Sequence, residues 1–81
     1  MFNEYRYKTA WCPICRQGAV EFVKEEATRV MFLCCDECEA EWDDPEDINI
    51  TGKGFPFKYG RVVEPSLEDI QAKGWEKYIM K

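Results

Sequence analysis

The alternation of apolar and polar positions changes period several times along the chain, and each change marks an element. Aromatic and polar side chains alternate through Tyr5, Arg6, Tyr7, Lys8 and Thr9, the two-residue period of a short strand. A second strand is expected over 19–23, where Ala19, Val20, Phe22 and Val23 surround a single Glu21. Lys24, Glu25, Glu26 and Ala27 form a polar turn without glycine, and 28–33 returns as the antiparallel partner. Over 38–42, Ala40 and Trp42 share one face and Glu39 and Glu41 the other, which predicts a third short strand. Asp44 and Pro45 then read as a helix start, with Asp as N-cap, Pro at the first helical position, and Glu46 and Asp47 at the positive end. Residues 48–51 are expected to be extended.

Glycine and proline punctuate the stretch from 52 to 60. Gly52, Gly54, Pro56 and Gly60 break up a loop that carries Phe55, Phe57 and Tyr59 between Lys53, Lys58 and Arg61. Ser66 is a good N-cap with Asp69 at the third helical position, a capping-box arrangement for a two-turn helix that buries Leu67 and Ile70. Gly74 stands where a Schellman stop requires it, so Trp75 should pack back on Ile70, with one more helical turn over 75–80. These elements make a small α+β fold. Residues 1–50 carry the strands, and 51–81 carry the aromatic and basic loop and a short C-terminal helix packed on the same domain.

Two cysteine motifs bracket the expected hairpin: Cys12-Pro13-Ile14-Cys15 before it and Cys35-Asp36-Glu37-Cys38 after it, with nineteen residues between Cys15 and Cys35. A Cys-x-x-Cys turn converges two thiolates on one cation. A hairpin that joins two such turns completes the tetrahedral four-sulfur shell preferred by Zn²⁺. Pro13 stiffens the first knuckle, and Gly18 offers backbone freedom just after it. The chain has no histidine, so a mixed Cys/His site is excluded. The competing readings are a disulfide framework, a redox Cys-Pro-x-Cys motif and ordinary buried cysteines. An odd count of five cysteines without a signal-peptide pattern weighs against disulfides. The chain also lacks the βαβ context of a redox motif. Cys34 and Cys35 compete for one ligand place. The spacing to Cys38 favours Cys35 and turns Cys34 to the other face, and a register reversal is the alternative. One structural Zn²⁺ held by Cys12, Cys15, Cys35 and Cys38 is the expectation. Four cysteines leave no open coordination position, and no histidine is present to move protons near neutrality, so no enzymatic activity is expected.

At 81 residues the chain is near the size below which an apolar core alone is insufficient. A structural zinc supplies on the order of 10 kcal/mol to such a fold. No apolar run approaches a membrane span, and a cytoplasmic location is expected. The formal charge of −5 is uneven: 1–50 holds five basic and twelve acidic side chains, 51–81 six basic and four acidic. Four thiolates around one Zn²⁺ add a formal −2 to the acidic part. This balance disfavours general phosphate-backbone binding, which rests on Lys and Arg.

Cys12-Pro13-Ile14-Cys15, the hairpin, and Cys35-Asp36-Glu37-Cys38 followed by Ala40 and Trp42 resemble a zinc ribbon. They are similar in particular to short bacterial zinc-ribbon proteins that pair a Cys-Pro-x-Cys knuckle with a Cys-Asp-Glu-Cys knuckle and a nearby Trp. The resemblance covers 11–42. It implies an antiparallel hairpin or three-stranded sheet with two zinc knuckles, and it carries the ligand role to Cys12, Cys15, Cys35 and Cys38. Two departures stand out: Arg16 and Gln17 delay the glycine that often follows a knuckle directly, and Cys34 is a fifth thiol. Zinc ribbons serve many functions, so the fold does not choose among them.

Two surfaces compete for the function. Eight carboxylates lie within 36–47. That run is either a solvated face or a docking surface for a basic protein partner, with Asp36, Glu37, Glu39, Glu41, Trp42, Asp43 and Asp44 as its residues. Small acidic proteins that neutralise nucleases, immunity proteins among them, are similar in charge and size. The second surface is the loop with Lys53, Phe55, Phe57, Lys58, Tyr59 and Arg61, whose aromatics would stack bases of single-stranded nucleic acid. The overall acidity ranks it behind the first. A protein-binding module, with an inhibitor or immunity role as its specific form, is the leading expectation.

Overall fold

The computed structural model describes residues 6–49 and 60–80. Strands β1 (Lys8–Trp11), β2 (Ala19–Glu25), β3 (Met31–Cys35) and β4 (Glu41–Trp42) form an antiparallel meander in sequential order. A fifth strand, β5 (Val62–Val63), pairs antiparallel with the end of β2 through Lys24↔Val63 and Glu25↔Val62. Because β3 already occupies one edge of β2, β5 extends the edge that begins with β1. Helix α1 (Leu67–Ala72) and 3₁₀ turns at Pro45–Asn49 and Glu76–Tyr78 complete the described structure.

Strand pairing sorts the side chains. The rungs Val20↔Cys35, Phe22↔Leu33 and Leu33↔Trp42 put five buried residues on one face. Ile48, Ile70 and Trp75 close over that face, and the Phe22 and Trp75 rings meet at 6.2 Å between centroids. The other face carries Glu21↔Cys34 and Cys34↔Glu41, with Lys8 opposite Glu21. Cys34 therefore lies on the face opposite the one that carries Leu33, Cys35 and Trp42, as its one-residue offset from Cys35 dictates. Lys8 Nζ stands 2.8 Å from Oε2 of the fully buried Glu21 and so supplies its countercharge.

The C-terminal elements follow the capping logic closely. Ser66 Oγ accepts the Asp69 N–H at 3.1 Å, and the Asp69 carboxylate accepts the Ser66 N–H at 3.0 Å. Gly74 takes φ 75, its N–H donates to Gln71 O, and the Trp75 N–H donates to Ile70 O. Those two bonds are the Schellman pair, and they turn Trp75 into the core.

Four expectations need correction. The first strand lies three residues later than its aromatic alternation suggests, because a bulge between Lys8 and Ala10 lets Lys8 reach Glu21. Ile48 is buried within a 3₁₀ turn and is not extended. There Asp44 caps as expected, accepting the Glu46 N–H at 2.9 Å. The hairpin turn is displaced toward 26–29 and places Arg29 at φ 66. Finally, β5 forms where the sequence suggests only a lead-in to Ser66; two valines are too short a run to signal a strand.

Candidate metal centre

The two knuckles are local structures of the same design. In the first, Arg16 N–H donates to Cys12 O at 3.1 Å, and in the second Glu39 N–H donates to Cys35 O at 3.2 Å. Each turn finishes with a residue in the left-handed region, Arg16 at φ 58 and Glu39 at φ 63. Glycine is the usual occupant of such a position, so both knuckles hold strain that a glycine would relieve. They close differently: Cys12 N–H donates to Gly18 O, six residues on, and Cys35 N–H to Ala40 O, five residues on. The extra residue is Gln17, which sets Gly18 one place further on than its counterpart Ala40.

Gly18 itself is needed for space. A Cβ there would collide with Asp36 Oδ1 and the Glu37 side chain. The second knuckle can therefore lie against the first. Asp36 Oδ1 accepts the Ala19 N–H at 3.0 Å while Asp36 N–H donates to Ala19 O at 3.0 Å. Asp36 Oδ2 lies 3.6 Å from Lys8 Nζ.

This clasp brings the sulfurs of Cys12, Cys15, Cys35 and Cys38 within 4.8 Å of one another. Cys12 and Cys38 are 3.7 Å apart, and Cys15 and Cys35 3.6 Å. A tetrahedral four-thiolate shell with metal–sulfur bonds of ~2.3 Å has edges of about 3.8 Å, so these spacings suit a cation. They are far too long for the ~2.05 Å of a disulfide, and all five cysteines are free. Backbone N–H groups aim at the sulfurs: Ile14 at Cys12 (3.4 Å), Glu37 at Cys35 (3.4 Å) and Cys38 at Cys35 (3.5 Å). The Gln17 N–H pulls the Cys15 thiol down to about 7. Burial pushes the Cys35 and Cys38 thiols up. A divalent cation supplies the positive charge that would keep all four deprotonated. Cys34 stands outside the cluster, with its Sγ directed to Cys35 O at 3.5 Å. Burial first, then the charges of Glu41 and Glu39, push its thiol up to about 12.

The acidic positions separate into different roles. Glu37, Glu39 and Asp43 are exposed and Glu41 is half-buried. Asp36 is committed to the clasp and Asp44 to its cap. Trp42, expected on the docking surface, is a core residue at 2% exposure, because its pairing with Leu33 turns it to the packed face. Lys53, Phe55, Phe57, Lys58 and Tyr59 lie outside the described residues. Arg61 is exposed, 3.9 Å from Glu26. Sequence reasoning missed the exposure of Trp11, for which its place at the mouth of the first knuckle was the available signal.

Comparison with protein families, curated proteins and solved structures found no match for the chain. The architecture is a small α+β fold, consistent with a zinc-ribbon-like one, whose four cysteines are positioned to coordinate a metal ion. Among the described residues, no helix is long and apolar enough to cross a membrane.

Proposed function

We propose that the chain is a non-enzymatic binding module, built around one structural Zn²⁺ at Cys12, Cys15, Cys35 and Cys38 and docking a basic protein partner through its acidic face. The observation that carries the metal reading is the convergence of four sulfurs within 4.8 Å of one another, two pairs of them at 3.6 and 3.7 Å. Four thiolates fill the coordination shell, so the metal would hold the fold and not a substrate. Free thiols in this number fit a reducing compartment, and we place the protein in the cytoplasm.

The docking reading is supported by Glu37, Glu39 and Asp43, which stand exposed around the second knuckle beside a centre of formal charge −2. That potential repels nucleic acid and steers cationic protein toward the knuckle. A basic nuclease presents a matching surface where it holds phosphates, and covering that surface inhibits without chemistry. An inhibitor or immunity role is the specific form of the proposal.

The test measures association of the zinc-loaded protein with short poly-L-lysine at low and physiological salt. Changing Glu37 and Glu39 to Gln and Asp43 to Asn together should slow association and flatten its salt dependence. Equal rates for wild type and the neutralised variant at low salt would reduce the acidic run to a solvated face.

A further inference from the structure

A groove of about 300 Å³ opens between the two knuckles, and no metal ligand lines it. It is lined by Lys8, Trp11, Gln17, Gly18 and Ala19 from the first knuckle and its flanking strands, and by Asp36 and Glu37 from the second knuckle. Trp11 is 69% exposed, whereas Trp42 and Trp75 are buried. A large indole left in water on so small a fold forgoes much of the burial that aromatic side chains contribute, and aromatic surface of this kind concentrates at interfaces.

The second knuckle selects the occupant. Lys8 is matched by Glu21 at 2.8 Å and by Asp36 at 3.6 Å. One ammonium offsets only one of those two carboxylates, and Glu37 is exposed and makes no ion pair with a described residue, so the groove stays net negative with the Glu37 carboxylate facing solvent. An anionic occupant would meet that carboxylate. A purely apolar one would cover it and leave it unsatisfied. A planar cation satisfies both the indole and the carboxylate.

We infer that the groove receives an arginine side chain of a basic protein partner, with its guanidinium stacked on the Trp11 indole and paired with the Glu37 carboxylate. Guanidinium is flat and weakly hydrated and forks onto carboxylates, while an ammonium is a compact, strongly hydrated point charge. Tryptophan and arginine are also the side chains that dominate binding energy at interfaces. The inference rests on the reading that the acidic face docks a basic partner, and it replaces the buried Trp42 with an anchor that solvent reaches.

The experiment titrates the zinc-loaded full chain with short poly-L-arginine, poly-L-lysine and poly-citrulline peptides of equal length. It follows the Trp11 indole N–H resonance, identified by its disappearance in Trp11→Phe. The arginine peptide should shift that resonance and bind about 3- to 10-fold more tightly than the lysine peptide. Citrulline, isosteric but neutral, should not bind. Trp11→Ala should keep its zinc, because the indole is exposed, and should equalise the arginine and lysine affinities. Glu37→Gln should weaken arginine binding several-fold. Equal wild-type affinities for the arginine and lysine peptides, or a stationary indole resonance, would overturn the groove and leave the acidic-face reading standing. A citrulline peptide that binds like arginine would overturn it as well, as would a single-stranded oligonucleotide that shifts the indole. Absence of binding by both cationic peptides at low salt would overturn the groove and the docking reading together.

Discussion

Arg16 and Glu39 each close a knuckle in the left-handed conformation, at φ 58 and 63. The strain costs on the order of 1 kcal/mol per site for a residue with a Cβ, partly offset by the extra unfolded-state freedom of glycine. Arg16→Gly should therefore stabilise the zinc-loaded protein by about 0.5 kcal/mol, read as a higher denaturant midpoint with unchanged slope. Gly18 predicts the opposite. Gly18→Ala drives a methyl into Asp36 and Glu37, parts the knuckles, and should cost about 1–3 kcal/mol by the same assay. The two adjacent thiols separate by role: Cys35→Ser should lower bound zinc, while Cys34→Ser should leave it intact. Elemental analysis decides, and the reverse result would put Cys34 in the shell. The spacing of Cys35 and Cys38 makes this assignment readable from the sequence, because a one-residue shift moves a thiol across the sheet. The need for Gly18 is readable only in part. Its position draws notice, but the crowding that demands it comes from Asp36 and Glu37, residues brought close by the fold alone.

Local chemistry decides how far each element can be read. Helix α1 is legible because its signals are contained within it: Ser66 and Asp69 cap one end reciprocally, and Gly74 and Trp75 stop the other. Ser66→Ala removes one of those partners and should cost about 1 kcal/mol, measured by chemical denaturation. Strand β5 is not legible, since two valines become a strand only when Gly60 N–H meets Glu25 Oε2 at 2.6 Å and Glu26 N–H meets Arg61 O at 2.9 Å. The displacement of β1 has the same origin. Its register answers to the ion pair between Lys8 and the buried Glu21, thirteen residues apart, and not to its own alternation. The exposed Trp11 and buried Trp42 repeat the lesson at the site, because pairing decides which indole the sheet covers.

At the scale of the whole molecule, a small core lies beside four cysteines positioned to coordinate a metal ion. Described parts of the chain after Gly60 reach back to the knuckle-bearing sheet. Lys24 pairs with Asp69 at 2.8 Å, Trp75 meets Phe22, and Met80 N–H donates to Lys8 O at 2.6 Å. The cysteine spacing foretells the centre, whereas nothing local foretells these returns. Zinc binding and folding should consequently be coupled, with chelation lowering stability by several kcal/mol. The most direct test is native mass spectrometry of the protein purified without added metal, joined to thermal unfolding before and after a zinc chelator. The account predicts one zinc per chain and loss of the cooperative transition when the metal is removed. A metal-free chain that unfolds cooperatively at the same temperature would contradict it.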